Sequence, residues 1–374
     1  GRSSPMPPIT PADGPVAVTG ASGYIGAHVV LCLLKKGYVV HACVRNKDDA
    51  DKTAPLRDMT KAGHPGTLKL FSADVLEAGS YDEPFKGCSA VMHVGTPMGY
   101  GGNNGPRAIY DGGVKGTRNV IASMKKSGSV KRIVYTSSFA AIGHPAKLGY
   151  KFTENDWATD NRGRDWSFAV ENIDTAKQGD DEFWYQLSKV ETEKLLYRTA
   201  QEEKTFDAMT VCPIVVLGPL LSKAHELVGS WQWMLARMLR GKPAGRAWQS
   251  CWNIVDVRDV AMAHVLIAES GVSKNGSRYQ LTAADDSAVL DVDQLQAELR
   301  RQFPGVDVGG APPQLEELRK KGAPFRAPLA YCEKAVKELG LQPHPVADTL
   351  KETGETMIRL GLCKPKYTDG RSKL

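Results

Sequence analysis

The stretch Val16-Ala-Val-Thr-Gly20-Ala-Ser-Gly23-Tyr-Ile-Gly26 constrains this chain more than any other. An apolar, β-branched run leads straight into three evenly spaced glycines, and the residues from Ile25 onward read as a helix. A strand that turns this tightly into a helix needs positions without a Cβ, both for the turn and for close packing of helix on strand. The helix N-terminus then offers N–H groups and a favourable dipole to an anion. Gly20, Ser22, Gly23, Tyr24, Ile25 and Gly26 are therefore candidate contacts for a pyrophosphate. With 37 glycines in the chain, the bare GxxGxxG pattern carries little weight; its place between strand and helix carries the argument.

The same alternation continues downstream. Val39–Val44, Leu68–Phe71, Ala90–Val94, Arg132–Ser137 and Ala208–Cys212 read as strands, with helical stretches near Ile25–Lys36, Ile109–Lys126 and Trp184–Glu202. Near-continuous apolar strands separated by helices predict an α/β fold, a Rossmann-type doubly wound parallel sheet covered on both faces. The 374 residues leave room for a smaller, discontinuous C-terminal substrate domain. The expected division is a flexible tail over 1–13, the nucleotide-binding unit over 14–213 and 250–283, a substrate cap over 214–249 and 284–362, and a tail over 363–374. Residues 139–184, a long polar insertion carrying Trp157, Trp166, Phe168, Phe183 and Trp184, read as a lid or binding segment.

Charge and cysteine usage exclude several classes. A net charge of +6, with acidic residues interspersed among the basic ones, predicts a solvated surface and no nucleic-acid partner. Seven scattered cysteines without a CxxC pair predict free thiols in a reducing compartment. No apolar run is long enough to span a bilayer, and residues 1–13 lack the apolar core of a secretory signal. The terminal Ser372-Lys373-Leu374 matches the address read by the peroxisomal import receptor, so the expected location is a peroxisome or related microbody, with the cytoplasm as the alternative.

The end of the second strand bears on which dinucleotide binds. An acidic residue there would bind a ribose hydroxyl and repel a 2′-phosphate; the chain instead has Val44-Arg45-Asn46-Lys47, with Lys52 beyond. Arginine grips phosphate with two parallel donors, which favours NADP(H) over NAD, against the nearby Asp48, Asp49 and Asp51.

Tyr185 and Lys189 stand one helical turn apart on one face. A phenol is a poor acid–base at neutral pH unless a cation lowers its pKa, and Lys189 is the candidate cation. Tyr135-Thr-Ser137-Ser138 ends a strand where α/β folds place reacting groups, and a serine hydroxyl there can hold the oxygen of a substrate. Ser138 is the preferred member of the pair, with Ser137 as the fallback.

These motifs together resemble the extended short-chain dehydrogenases/reductases, of the group containing dihydroflavonol 4-reductase, cinnamoyl-CoA reductase and related aldehyde and ketone reductases. The resemblance rests on Val18–Gly26, Val44-Arg45, Asp74-Val75, His93-Val-Gly-Thr96-Pro-Met98, Val114-Lys-Gly-Thr117, Tyr135–Ser138 and Tyr185–Lys189. It continues through Pro213, Leu217-Gly-Pro219 and Val255–Val260 with His264. It implies a hydride transfer between carbonyl and alcohol from the B face of the nicotinamide, with Tyr185 as general acid or base, Lys189 on the nicotinamide ribose and Ser138 on the reacting oxygen. It further implies Arg45 and Lys52 at the 2′-phosphate, Asp74 and Val75 at the adenine, Pro213 at the nicotinamide, and Thr96 as a cofactor contact. Two departures stand out. Gly113 occupies the place where many members have an asparagine, which puts a proton relay through that residue in doubt. Tyr185 follows Ser138 by 47 positions, an unusually long gap, so substrate specificity does not carry over.

Other residues have structural expectations. His93 and His264 read as core histidines, and Asp256, Arg258 and Asp259 as a polar turn. Trp231 and Trp233 fit equally a pocket lining or a cap core. No histidine spacing suits a metal. The competing functions are a 3β-hydroxysteroid-type dehydrogenase, a sugar-nucleotide epimerase or dehydratase holding NAD, and a sensor that binds NADP without chemistry.

Overall fold

The computed structural model describes residues 5–96, 107–144, 146–147, 149–159, 181–225, 230–245, 251–321 and 327–368. Trp166, Phe168 and Ser372-Lys373-Leu374 lie outside the described residues.

A parallel seven-stranded sheet of Rossmann type organises the chain. Its strands are β1 (Val16–Thr19), β2 (Val39–Val44), β3 (Thr67–Ser72), β4 (Ala90–His93), β5 (Arg132–Thr136), β7 (Asp207–Pro213) and β10 (Arg278–Leu281). They lie in the order β10-β7-β5-β4-β1-β2-β3. Between β5 and β7 in the chain comes the short β6 (Lys151–Phe152); β8 (Val215–Leu217) and β9 (Cys251–Asp256) precede β10. The strands are apolar throughout because alternate residues serve two cores. Val16, Val18, Met92, Val134 and Met209 face one side, while Ala17, Val91, Ile133, Tyr135 and Ala208 face the other.

Helices α1 (Tyr24–Lys35) and α2 (Ala50–Lys61) follow the first two strands, and α3 (Arg107–Ser127) and α4 (Asp181–Glu203) lead into β5 and β7. In the order of the sheet β1 and β4 are neighbours, paired Thr19 to His93 at their C-terminal ends. From β1 the chain winds one way across the sheet through β2 and β3 and the other way from β4 onward, so this pair is the switch point whose crevice is where such sheets bind ligands.

A second apolar core is discontinuous in sequence. It joins β8 and α5 (Trp231–Leu239) to Trp252 and Ile254 of β9, and then to helices α7 (Val292–Gln302) and α10 (Val346–Arg359). Strand β9 pairs with β8 and with β11 (Val289–Asp291), so residues 251–256 belong to a three-stranded sheet rather than to the nucleotide-binding sheet expected for them. The helix that follows, α6 (Val257–Glu269), does pack on the main sheet, and β10 completes that sheet. Shorter elements complete the cap side: α8 (Pro313–Lys320), β12 (Leu329–Ala330), which pairs with β6, and α9 (Glu333–Leu339).

Both expected tails are shorter than the sequence suggests. Ile9 is buried in the main core, the Met6 N–H donates to Asp207, and the Arg132 guanidinium donates to the carbonyls of Met6 and Pro7. At the other end, Cys363 is buried in the cap core, and Thr368 N–H donates to the Gly305 carbonyl at 2.9 Å. At the N-terminal end the buried Arg132 and Asp207 side chains need the backbone of the flanking segment as partner.

Candidate active site

Gly20 has φ +64°, and a Cβ there would lie 2.6 Å from Gly95 Cα, in the turn after β4. A Cβ on Gly26 would stand 2.1 Å from the Gly20 carbonyl oxygen. Only glycines allow β1, its turn and α1 to approach this closely. Gly23 caps α1 without a side-chain hydrogen bond, and no acidic residue stands in the first turn. The N–H groups of Tyr24, Ile25 and Gly26 therefore have no intrahelical acceptor. The Tyr24 side chain is committed elsewhere, since its hydroxyl donates to the Gly218 carbonyl at 2.9 Å. His28 Nε2 reaches the Pro219 carbonyl at 2.9 Å, so the segment after β8 straps this helix down.

Arg45 is exposed immediately beyond buried Val44. Of the nearby acids, Asp49 caps α2 by accepting from Lys52 N–H at 3.1 Å, and the Lys52 ammonium stands 3.8 Å from the same carboxylate. Past β3, Asp74 accepts from Leu76 N–H at 2.9 Å, and Asn119 donates to the Val75 carbonyl at 2.8 Å. The expected cofactor contacts Arg45, Lys52, Asp74 and Val75 thus all lie beyond the C-terminal ends of β2 and β3.

The serine pair divides its roles. Ser137 is buried and its hydroxyl donates to Glu193 Oε1. Ser138 is half-buried, accepts from Ala140 N–H at 3.1 Å, and stands beside the Tyr185 phenol, whose pKa it lowers. Lys189, 3% exposed, donates to the Thr136 carbonyl at 2.9 Å, to Tyr135 Oη at 3.2 Å and to Thr96 Oγ1 at 3.3 Å. Its Nζ lies 5.6 Å from the Tyr185 ring centroid. Ser138 after β5 and the Tyr185–Lys189 pair of α4 are thereby gathered at one sheet edge, with Pro213 at the end of β7 beside Leu281.

Burial raises Tyr185, and the neighbouring Ser138 hydroxyl opposes that. Burial also pushes Lys189 down to about 8, against the pull of Glu193. His93 uses both ring nitrogens, on Thr19 at 2.9 Å and Thr117 at 3.2 Å, and burial lowers it to about 3. His264 bonds Thr136 at 2.7 Å and the Val260 carbonyl at 2.7 Å. Both are core histidines, as expected.

Other expectations resolve similarly. Asp256 caps α6 and pairs with Arg258 at 2.7 Å, and Asp259 holds His344 at 2.5 Å, so this is a structural polar turn. Trp231 packs against Trp252 with ring centroids 5.0 Å apart, and both Trp231 and Trp233 pack on the cap core. At Gly113 an added Cβ would meet Ser188 Oγ at 2.2 Å, so any side chain there needs the Ser188 hydroxyl to turn away. Among the described residues no cluster of three potential metal ligands occurs, and no helix is long and apolar enough to cross a membrane.

Sequence reasoning missed Glu193 and Arg278, a buried ion pair at 2.8 Å beside the catalytic residues. One signal was available: Tyr185, Lys189, Glu193 and Tyr197 follow at intervals of four along α4. Nothing local marks Arg278.

Comparison with known proteins agrees with this geometry. The model of the NAD dependent epimerase/dehydratase family matches residues 16–281. Cinnamoyl-CoA reductase CAD2 of Medicago truncatula is 30% identical over 91% of this chain and 95% of its own length. Cinnamoyl-CoA reductase 1 of Petunia hybrida is 31% identical over 92% of each chain. The crystal structure of yeast methylglyoxal/isovaleraldehyde reductase Gre2 complexed with NADPH superposes with a TM-score of 0.73, at 22% identity over 92% of this chain and 98% of that one.

Proposed function

This chain belongs to the NAD dependent epimerase/dehydratase family of extended short-chain dehydrogenases/reductases, and from that premise we propose that it is an NADP(H)-dependent reductase of aldehydes or ketones. The observation that carries the reading is Ser138 beside the Tyr185 phenol, with the Lys189 ammonium 5.6 Å from the same ring, at the sheet edge where the glycine turn opens. The named relatives are reductases, and one solved neighbour holds NADPH.

The residues present fit that cofactor. The backbones at Gly20, Gly26 and Gly95 pack so closely that any Cβ would collide, and this close turn leaves the first-turn N–H groups of α1 without acceptors among the described residues, ready for a pyrophosphate. Arg45 is the exposed guanidinium positioned for a 2′-phosphate, with Asp74 and Val75 beside the adenine end, Pro213 at the nicotinamide end, and Thr96 and Lys189 between. When bound, NADPH supplies the hydride.

The protein's own groups manage the proton. Ser138 Oγ holds the carbonyl oxygen, and Tyr185 Oη donates to it as negative charge develops there. In the reverse direction Tyr185 takes the proton from the alcohol. A phenol raised by burial is a reluctant base, so the oxidative direction depends on positive charge nearby, and the Lys189 ammonium is the resident source. Its bond to the Thr136 carbonyl fixes it at the strand end that also carries Ser138.

The test is consumption of NADPH, followed by its absorbance, across a panel of aliphatic and aromatic aldehydes and ketones. Turnover with NADPH in preference to NADH sustains the reading. Tightly held NAD co-purifying with the protein, with no carbonyl reduced, would move it to the epimerase branch of the family. Where Ser372-Lys373-Leu374 stands free at the C-terminus, it supports delivery to a peroxisome. Imaging an N-terminally tagged fusion with and without Leu374 tests that part.

A further inference from the structure

Glu193 lies two turns beyond Tyr185 on the same face of α4 and is wholly buried. A carboxylate removed from water needs its lone pairs filled. Ser137 donates to Oε1. Oε2 accepts from Arg278 Nε at 2.8 Å, Tyr197 Oη at 3.1 Å and Thr210 Oγ1 at 3.3 Å.

Arg278, 4% exposed, spends its remaining donors on the segment that follows the catalytic serine. Nη1 reaches the carbonyls of Glu154 at 2.9 Å and Asp156 at 2.6 Å, and Nη2 the carbonyl of Ala141 at 3.1 Å. The guanidinium stands 3.8 Å from the Trp157 ring centroid. The same segment returns a contact to the sheet edge, where Glu154 Oε1 accepts from Gln280 N–H at 3.1 Å. The carbonyls of Ala141, Glu154 and Asp156 thus share one guanidinium, and the carboxylate paired with it holds the serine strand.

We propose that Glu193 is a positioning residue of this site: it fixes Ser137 and with it the neighbouring Ser138, stands one helical turn from Lys189 on the same face of α4, and through Arg278 ties both to the seating of Ala141 and Glu154–Trp157. The proposal rests on the reductase reading. The other groups facing Lys189 are Tyr135 and the Thr136 carbonyl from β5, His93 from β4, Cys212 from β7 and Tyr185 on its own helix. Burial holds the Cys212 thiol protonated, up to about 12, and His93 neutral. Among these described groups, Glu193 alone carries negative charge, and it is the first influence opposing the desolvation of Lys189.

The experiment compares the pH profile of carbonyl reduction in the full-length wild type, Glu193→Gln and Arg278→Lys. Glu193→Gln keeps the shape and an acceptor for Ser137 while removing the charge. The expected result is a folded enzyme whose alkaline limb moves down by about one pH unit. Arg278→Lys keeps the charge but cannot span three carbonyls, so KM rises severalfold while the limb stays in place. A wild-type limb in Glu193→Gln, or an unchanged KM in Arg278→Lys, overturns the proposal. If Glu193→Gln does not fold, Glu193→Asp carries the test: the limb must stay where it is in wild type while kcat falls, and a displaced limb overturns it. If wild type reduces no carbonyl, the reductase reading falls separately. Lys189 deprotonation is then followed directly by NMR of isotope-labelled lysine, and it must shift to lower pH in Glu193→Gln.

Discussion

The Ser137 hydroxyl is buried against Glu193 Oε1, and that contact leaves its neighbour Ser138 as the serine that meets Tyr185. Adjacent residues of the same type therefore have different expected phenotypes, direct loss of catalysis at one and loss of stability with a smaller loss of kcat at the other. Ser138→Ala removes a donor to the reacting oxygen and lowers kcat about a hundredfold, with stability unchanged. Ser137→Ala leaves a buried carboxylate oxygen short of a partner and costs about 1–3 kcal/mol in urea unfolding. Steady-state kinetics and denaturation of both variants check the assignment; the reverse pattern would exchange the two roles.

Tyr185→Phe removes the proton donor and keeps the ring. Carbonyl reduction should fall by about 10²–10⁴. NADPH affinity, read from quenching of tryptophan fluorescence, should hardly change. Unaltered turnover in this variant would end the acid–base assignment and revive a non-catalytic role.

Arg45→Ala tests the cofactor preference. Its loss should weaken NADPH binding about tenfold or more and leave NADH binding nearly untouched, because only the former has a phosphate for a charged partner. Equal loss for both nucleotides would remove Arg45 from the 2′-phosphate.

The glycine turn makes a graded prediction. Gly26→Ala places a methyl 2.1 Å from the Gly20 carbonyl oxygen and should abolish NADPH binding and lower stability. In Gly23→Ala the same oxygen is 3.2 Å away, so a small displacement suffices and the fold should survive. Calorimetric binding and thermal unfolding of the two variants distinguish them.

Acid should unfold this protein through its histidines. Burial lowers His28, His225 and His264 to about 4 and His93 to about 3. An unfolded histidine takes its proton near pH 6.5, so these groups contribute stability above that pH and lose it as pH falls toward the folded values. Near pH 5 four protons taken up on unfolding correspond to a slope of about 5 kcal/mol per pH unit. Urea midpoints between pH 7 and 4.5 measure it; a flat dependence would mean that these rings are not neutral and buried.

The glycine turn, the central strands and the Tyr185–Lys189 pair were legible in the sequence because each depends on a few adjacent residues. Backbone sterics decide where a Cβ is forbidden, period-two apolarity decides a covered strand, and four residues make one helical turn. The seventh strand was not legible, since Arg278–Leu281 looks no different from the cap strand Cys251–Asp256 until pairing assigns one to each sheet. The N-terminal residues passed for a tail because their partner, Arg132, lies more than a hundred positions away.

What the tertiary structure alone decided follows from burial and long-range pairing. It committed the Ser137 hydroxyl to Glu193, lowered Lys189 while raising Tyr185, and joined Glu193 to Arg278 across 85 positions. Residue types fix which groups can ionise or donate. Their charge states and roles depend on what desolvates them and what stands opposite, and the chain settles both only when distant segments pack together.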